Sequence, residues 1–255
     1  MLIKTICKNT TIQQNFVSLH QNLITMDETT DALCKLLISK GELKQNIFQE
    51  TLNAMLMFKE AAKEFDEAYR DQYEEEHEKV AVHYTNRNQY EFQLKFAGDI
   101  LVFIMHTNIF ELSRDHEVMR TPYIKEDKDR SYCGIIQIFN FLADSFKYNR
   151  INDLGYMIGR VMINKEGHYY IEGKRELAQV FNNFSTNKIT PENVHSILRS
   201  AIEYTINFDL LLPNYDEMKI ITVNDMLQFE DQNITLQTGK RLGFRFEQDT
   251  STEKK

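Results

Sequence analysis

The feature that most constrains this chain is an uninterrupted apolar stripe between about Glu42 and Glu76. The stripe recurs at spacings of three and four residues, which is the period of one face of an α-helix. Its members are Phe48, Leu52, Met55, Phe58, Ala62, Phe65 and Tyr69. Neither glycine nor proline lies within this stretch. At 1.5 Å per residue, the sequence therefore predicts a helix about 50 Å long.

A helix of this length must bury its stripe either on the rest of the chain or on a second copy of itself. Both outcomes are open from the sequence, because a long amphipathic helix serves as core in some proteins and as a coiled-coil interface in others. If the second outcome holds, the stripe forms the face of a homodimer. The residues predicted for that face are Phe48, Leu52, Met55 and Phe65.

After Lys79 the apolar period changes from that of a helix to that of β-strands. Phe92, Leu94 and Phe96 alternate with polar residues, which indicates a half-buried strand. Residues 100–105 are apolar on both faces, as in a central strand.

Further along the chain, two apolar runs, 156–163 and 168–171, flank a four-residue turn that ends in Gly167. This arrangement is typical of a β-hairpin. Helices are predicted from Ile135 to Phe146 by spacing and from Thr190-Pro191 by its start signal. A shorter helix over residues 27–39 is expected to stop at Gly41.

Strands in the middle of the chain, with helices before and after them, predict an α+β fold. Its helical N-terminal part contains one long amphipathic helix, and a mainly antiparallel sheet packed with helices follows. We expect the helical N-terminal extension to occupy residues 1–78 and the α+β body residues 79–247. Residues 248–255 have no apolar content and are expected to form a disordered tail.

Composition narrows the class of protein. The three cysteines, Cys7, Cys34 and Cys133, are scattered and form neither a disulfide framework nor a zinc-binding pattern. No run of about 18 apolar residues occurs, and no signal-peptide pattern opens the sequence. We therefore expect a cytoplasmic protein without a membrane segment. A formal net charge of −8 argues against non-specific nucleic-acid binding.

One set of residues is a candidate metal-binding site. Asp99 opens a predicted central strand, and Glu172 and Lys174 end another. This resembles the Asp…Glu-x-Lys pattern of restriction-endonuclease-like nucleases, in which Mg²⁺ or Mn²⁺ binds the carboxylates and the lysine orients a water. The family places these residues within one hairpin, whereas 73 residues separate Asp99 from Glu172 here, so a helix would have to be inserted between them.

A second set combines basic and aromatic residues between positions 147 and 175. Basic side chains with stackable tyrosines on a sheet favour single-stranded nucleic acid or a nucleotide. The predicted nucleic-acid-binding residues are Lys147, Arg150, Arg160, Lys165 and Arg175. Acidic residues in the same stretch offset part of this charge.

Phosphate-binding glycine loops do not occur, and the histidines lack metal-ligand spacing. The first expectation is therefore a cytoplasmic protein-interaction or regulatory protein, without catalytic activity of its own and without a cofactor. It would act as a homo-oligomer or with a protein partner, and not with a membrane. The alternative is a metal-dependent nuclease or nucleic-acid-binding protein that uses Asp99, Glu172 and Lys174.

Overall fold

The structure, a computed structural model, describes residues 27–151, 153–174, 183–209, 215–220 and 223. The described residues confirm the α+β class. The helices are α1 (Glu28–Tyr69, continued by a π-helical turn at Arg70–Glu74), α2 (Pro122–Glu126), α3 (Ala143–Lys147), α4 (Pro191–Ile206) and α5 (Tyr215–Met218). The strands are β1 (Val82–Asn88), β2 (Glu91–Phe96), β3 (Asp99–Met105), β4 (Phe110–Glu111), β5 (Tyr132–Leu142), β6 (Tyr156–Asn164) and β7 (Tyr169–Gly173).

The predicted long helix is present as α1, and it begins earlier than the sequence indicated. The backbone amide of Thr30 donates to Oδ1 of Asp27 at 2.7 Å and so caps the first turn. The helix then continues through Gly41, so the predicted stop is wrong. A glycine inside a helix costs only about 1 kcal/mol, which the good helix formers on either side of Gly41 offset.

The chain divides into two compact units, residues 1–43 and 44–255, and the boundary falls inside α1. The described part of the first unit, residues 27–43, is helical apart from its cap and exposes Leu33, Leu36, Leu37 and Ile38. The expected boundary after residue 78 stays a prediction. The disordered tail expected at 248–255 lies outside the described residues.

The sheet belongs to the second unit and is an antiparallel meander in the order β1-β2-β3-β5-β6-β7. The two-residue strand β4 pairs with the start of β5 beyond the end of β3. The helix predicted from Ile135 to Phe146 is wrong, because residues 132–142 form the central strand β5. Isoleucine and phenylalanine fit a strand that is buried between two neighbours, and this packing outweighs a spacing that only resembles a helix.

Two other sequence signals are confirmed. The hairpin forms between β6 and β7, and Gly167 takes the positive φ of 72° that its turn requires. Helix α4 begins where predicted, with the backbone amide of Asn193 donating to Oγ1 of Thr190 and Pro191 in the first turn.

One face of the sheet, here called the helix face, carries the main core. Helix α1 contributes Leu52, Met55 and Phe58, and α4 contributes Val194, Ile197, Leu198 and Ala201. These side chains pack on a row of fully buried strand residues that includes Phe92, Phe103, Ile138 and Val161. The rings of Phe92 and Phe103 stack with centroids 4.5 Å apart.

This core corrects the assignment of the α1 stripe as a dimer face. Leu52 and Met55 are buried within the chain, and Phe48 packs against the same cluster. Phe65 is the exception, with 37% of its surface exposed. The stripe therefore serves chiefly as intramolecular core, which was the other outcome open from the sequence.

Helix α1 approaches β5 most closely at Gly134. A Cβ atom at this position would lie 2.0 Å from Oγ1 of Thr51. That oxygen donates a hydrogen bond to the carbonyl of Ile47 at 2.7 Å. The helix can reach the sheet at this depth because the strand carries no side chain there.

We predict that Gly134→Ala destabilises the protein by about 1–3 kcal/mol, the range for inserting a carbon into a packed core. Urea unfolding followed by circular dichroism measures the change. Gly41→Ala is the matched control: no atom lies within 4 Å of its added Cβ, so it should leave stability unchanged or raise it by about 0.5–1 kcal/mol. A Gly134→Ala protein as stable as wild type would contradict the close approach.

Candidate functional site

The structure does not bring the predicted metal ligands together. Asp99 lies opposite Leu142 on β5, whereas Glu172 lies opposite Arg160, which in turn lies opposite Gln137. Five residues along a strand and three strand spacings across a sheet amount to about 20 Å. Carboxylates that share one Mg²⁺ must lie within about 4–6 Å of each other.

The faces of the sheet differ as well. Asp99 lies on the same face of β3 as Leu101 and Phe103, whose side chains are on the helix face. Glu172 follows Ile171 of the helix face and therefore lies on the opposite side, here called the outer face. Lys174 lies just beyond β7, with its backbone amide bonded to the carbonyl of Ile158. The geometry that the nuclease hypothesis requires is thus not met by these residues.

Among the described residues, no group of three or more histidine, cysteine, aspartate or glutamate side chains is arranged to hold a metal ion.

The predicted basic cluster is largely internally paired. The ion pairs are Arg150 with Asp153, Arg160 with Glu172, and Lys165 with Asp127. The ammonium group of Lys147 lies 4.8 Å from the ring centroid of Tyr148. Arg175 lies outside the described residues.

The described members of this cluster also lie at different ends of the sheet. Lys147 and Arg150 follow the end of β5, whereas Lys165 follows Asn164, which pairs with Cys133 near the start of β5. Nine residues of strand separate these ends by about 30 Å. The described residues therefore do not form one continuous basic face.

Two features of the outer face are candidate sites instead. The first, here called the sheet cavity, has a volume of about 430 Å³. Its floor is formed by three adjacent strands, and its wall is formed by residues 106–116, which run from the end of β3 through β4 into the long segment before β5. The floor residues are Ile135, Gln137, Arg160, Met162 and Glu172, and the wall residues are His106, Phe110, Glu111, Leu112, Ser113 and His116.

A chain of hydrogen bonds crosses this floor. Arg160 donates from Nε to Oε2 of Glu172 at 2.5 Å. Nε2 of His116 lies 2.9 Å from Oε1 of the same carboxylate. Nδ1 of His116 accepts from the backbone amide of Val118 at 3.3 Å, so a neutral ring carries its proton on Nε2 and donates to Glu172. Both oxygens of Glu172 are thereby engaged.

The excursion from Leu112 to Ser131 covers the neighbouring part of the outer face. Its buried side chains form a separate cluster with those of β5, β6 and β7 and with Phe184, which follows β7. The members are Leu112, Val118, Tyr123, Ile124, Cys133, Met162, Tyr170 and Phe184. Burial raises the pKa of the Cys133 thiol far above its usual range, which keeps this residue a packed thiol.

A polar clasp, made of Tyr123, Arg130, Asn164 and Glu166, fixes the excursion to the β6–β7 turn. Tyr123 donates to Oε2 of Glu166 at 2.8 Å and accepts from Nδ2 of Asn164 at 2.9 Å. Arg130 donates to Oε1 of Glu166 at 2.9 Å, and its guanidinium lies 4.3 Å from the centroid of the Tyr123 ring. Although burial opposes the shift, the hydrogen bonds from Arg130 and Tyr123 lower the pKa of Glu166.

The second feature is an apolar surface, here called the apolar platform. It consists of Phe139, Phe141, Phe146, Ile151, Leu154 and Met157. The rings of Phe141 and Phe146 meet edge to face at 5.4 Å. Ile151 is 82% exposed and Leu154 is 77% exposed. The platform thus combines half-buried strand residues with strongly exposed loop residues.

The loop that carries the platform is internally braced. Oγ of Ser145 donates to Oδ2 of Asp153 at 2.5 Å, and Nε of Arg150 lies 2.9 Å from the same oxygen. The side chains of Asp153 and Arg150 are only 8% and 15% exposed. Gly155 lies directly against the Phe141 ring, where a Cβ atom would come within 2.2 Å. Polar groups point inward here, while Ile151 and Leu154 face solvent.

Comparison with protein-family models, with curated proteins and with solved structures finds no match for this chain. Within the described part of the chain, no helix is long and apolar enough to cross a membrane.

Sequence reasoning named Arg160 and Glu172 but gave them other roles, and it missed His106, Gln137 and the platform. The pairing of Arg160 with Glu172 was accessible, because counting back from the Gly167 turn places these two residues opposite each other. The platform gave no such signal, since Ile151 and Leu154 are isolated apolar residues in a polar loop.

We predict that Glu166→Gln lowers the free energy of unfolding at pH 7 by about 1 kcal/mol, a charged hydrogen bond discounted for partial exposure. A lowered carboxyl pKa adds stability that is present above the unfolded pKa and lost as pH falls through the folded value. The difference between wild type and variant should therefore shrink below the ordinary glutamate pKa of about 4.3. Urea unfolding at several pH values measures it.

Glu126→Gln is the matched control, because Glu126 also bonds Arg130 but is 72% exposed. It should change stability by less than Glu166→Gln at every pH. Equal effects of the two variants, or a difference that stays constant down to pH 3, would contradict the role of the clasp.

Proposed function

We propose that this protein is a cytoplasmic interaction protein without catalytic activity of its own, and that its apolar platform binds a second copy of the chain. The observation that carries this proposal is the exposure of the loop residues Ile151 and Leu154, at 82% and 77%. In the sequence they lie between Phe146 and Met157, which are 46% and 39% exposed.

Single exposed apolar residues are ordinary on protein surfaces, but contiguous apolar patches favour an interaction site. Here the exposed ring of Phe146 contacts the half-buried ring of Phe141, which in turn contacts that of Phe139. The buried ion pair of Arg150 with Asp153 holds the loop in shape. A braced loop loses little conformational freedom on binding, which favours affinity.

The charges beside the platform fit a second copy. Asp144 and Lys147 are exposed on α3, on either side of Phe146 in the sequence. Two-fold symmetry places the same patch of one protomer against that of its partner. A two-fold arrangement that brings Asp144 of each copy close to Lys147 of the other would make the surface complementary to itself.

This proposal keeps self-association, which the sequence suggested, but moves it to another surface. The α1 stripe is engaged with the sheet of its own chain, whereas the platform is exposed on the outer face. The exposed platform residues Ile151 and Leu154 can therefore be altered without disturbing the core.

We predict that wild-type protein sediments at about twice its monomer mass of 30.2 kDa, and that the double variant Ile151→Glu, Leu154→Glu sediments as a monomer. Buried negative charges would oppose the dimer, while both positions are exposed enough in the monomer to leave folding unchanged. Sedimentation velocity at about 100 µM, where weak dimers still form, measures the mass.

Ile206→Glu is the control, because Ile206 is 59% exposed at the end of α4, outside the platform. It should leave the dimer intact. Wild type that stays monomeric at this concentration, or a double variant that remains dimeric, would refute self-association through the platform.

A further inference from the structure

Three hydrogen-bond donors of the sheet cavity lack a partner within the described residues. The first belongs to His106, whose Nδ1 accepts from the backbone amide of Asn108 at 3.0 Å. A neutral ring bonded in this way carries its proton on Nε2. No described residue accepts a hydrogen bond from that atom, and the side chain lines the cavity.

Gln137 supplies the second donor. Its amide has no hydrogen-bond partner in the described part of the chain, although the residue is half-buried on the cavity floor. It lies directly opposite Arg160 across the β5–β6 pair, so their Cβ atoms are about 5 Å apart.

Arg160 supplies the third donor. Its Nε and Nη2 atoms engage Oε2 of Glu172, which fixes the guanidinium plane and leaves the Nη1 group for a ligand. Oε1 of Glu172 is engaged by His116. The negative charge of Glu172 is therefore compensated by its partners. The groups of the cavity floor that can still bind a ligand are N–H donors from adjacent strands.

Part of the cavity lining is apolar. Phe110, Leu112, Ile135 and Met162 line it beside the three donors. A volume of about 430 Å³ falls within the range of small-molecule sites, about 300–1,000 Å³. The cavity therefore matches a ligand that combines an acceptor group with an apolar body.

We propose that the sheet cavity binds a small organic monocarboxylate with an apolar body. Arg160, Gln137 and His106 donate to the carboxylate oxygens, and the bond from the charged guanidinium to a carboxylate is stronger than one between neutral groups. The apolar residues contact the body of the ligand. Glu111 also lines the cavity, on its exposed side, and its charge disfavours a doubly charged group such as a phosphate monoester.

The test titrates sodium hexanoate into the isotope-labelled full-length protein and follows the imidazole signals of His106 and His116 by NMR. We expect a saturable shift of the His106 signals. Gln137→Leu and Arg160→Met should each weaken hexanoate binding at least tenfold. Gln137→Leu removes one donor but leaves the bonds of Glu172 to Arg160 and His116 in place. A loss of hexanoate binding in this variant is therefore not explained by a disrupted cavity floor.

Lys95→Met is the matched control. Lys95 is exposed on the same face of the sheet, beside Ile100, and it does not line the cavity. Its loss removes one positive charge and should leave hexanoate affinity unchanged. An equal loss of affinity in this variant would mean that hexanoate responds only to overall charge, and would overturn the site.

Two analogues test the ligand class. Hexanamide has the same apolar body without the charge and should bind at least tenfold more weakly than hexanoate. Hexyl phosphate should also bind more weakly, and Glu111→Gln should reduce that difference. The proposal is overturned if hexanoate gives no saturable shift at millimolar concentration, if hexanamide binds equally well, or if hexyl phosphate binds more tightly.

Discussion

The packing of α1 and α4 on the helix face is the interaction on which the rest of the second unit depends. Burial of a large apolar side chain contributes about 1.5–3 kcal/mol, so Leu52, Met55 and Phe58 together contribute an amount comparable to the whole stability of a typical domain, about 5–15 kcal/mol. A dimer that took this stripe from the sheet would have to unfold the core. The buried stretch of the stripe, from Leu52 to Phe58, is therefore committed to its own chain.

The outer face is organised by the β6–β7 turn. Oδ1 of Asn164 accepts from the backbone amides of Glu166 and His168, both at 3.0 Å, while its Nδ2 group donates to Tyr123. The side chain thus shapes the turn and anchors the excursion at once. The same turn sets the register that places Arg160 opposite Glu172. A single turn therefore connects the clasp on one side with the floor of the sheet cavity on the other.

The elements that the sequence predicted correctly are those with strong local signals. The cap at Thr190, the turn at Gly167 and the unbroken stripe of α1 each depend on neighbouring residues alone. Strand β5 was missed because its isoleucines and phenylalanines satisfy a helical spacing, and because its state is decided by strands from distant parts of the sequence. Asp99 and Glu172 were grouped for a related reason: Asp99 opens one strand and Glu172 lies near the end of another, but only the register shows that they lie on different faces.

The cavity could not be predicted from the sequence, because its residues come from separate strands and from the segment that leads from β3 into the excursion. The platform and the cavity nevertheless share strand β5, where Phe139 and Gln137 are two residues apart on the outer face. A partner on the platform and a carboxylate in the cavity would thus contact one strand. Binding free energies are reciprocal, so any factor by which the carboxylate changes dimer affinity must equal the factor by which dimerisation changes carboxylate affinity. Strand β5, which α1 approaches closely at Gly134 on the other face, is the physical element through which such coupling would pass.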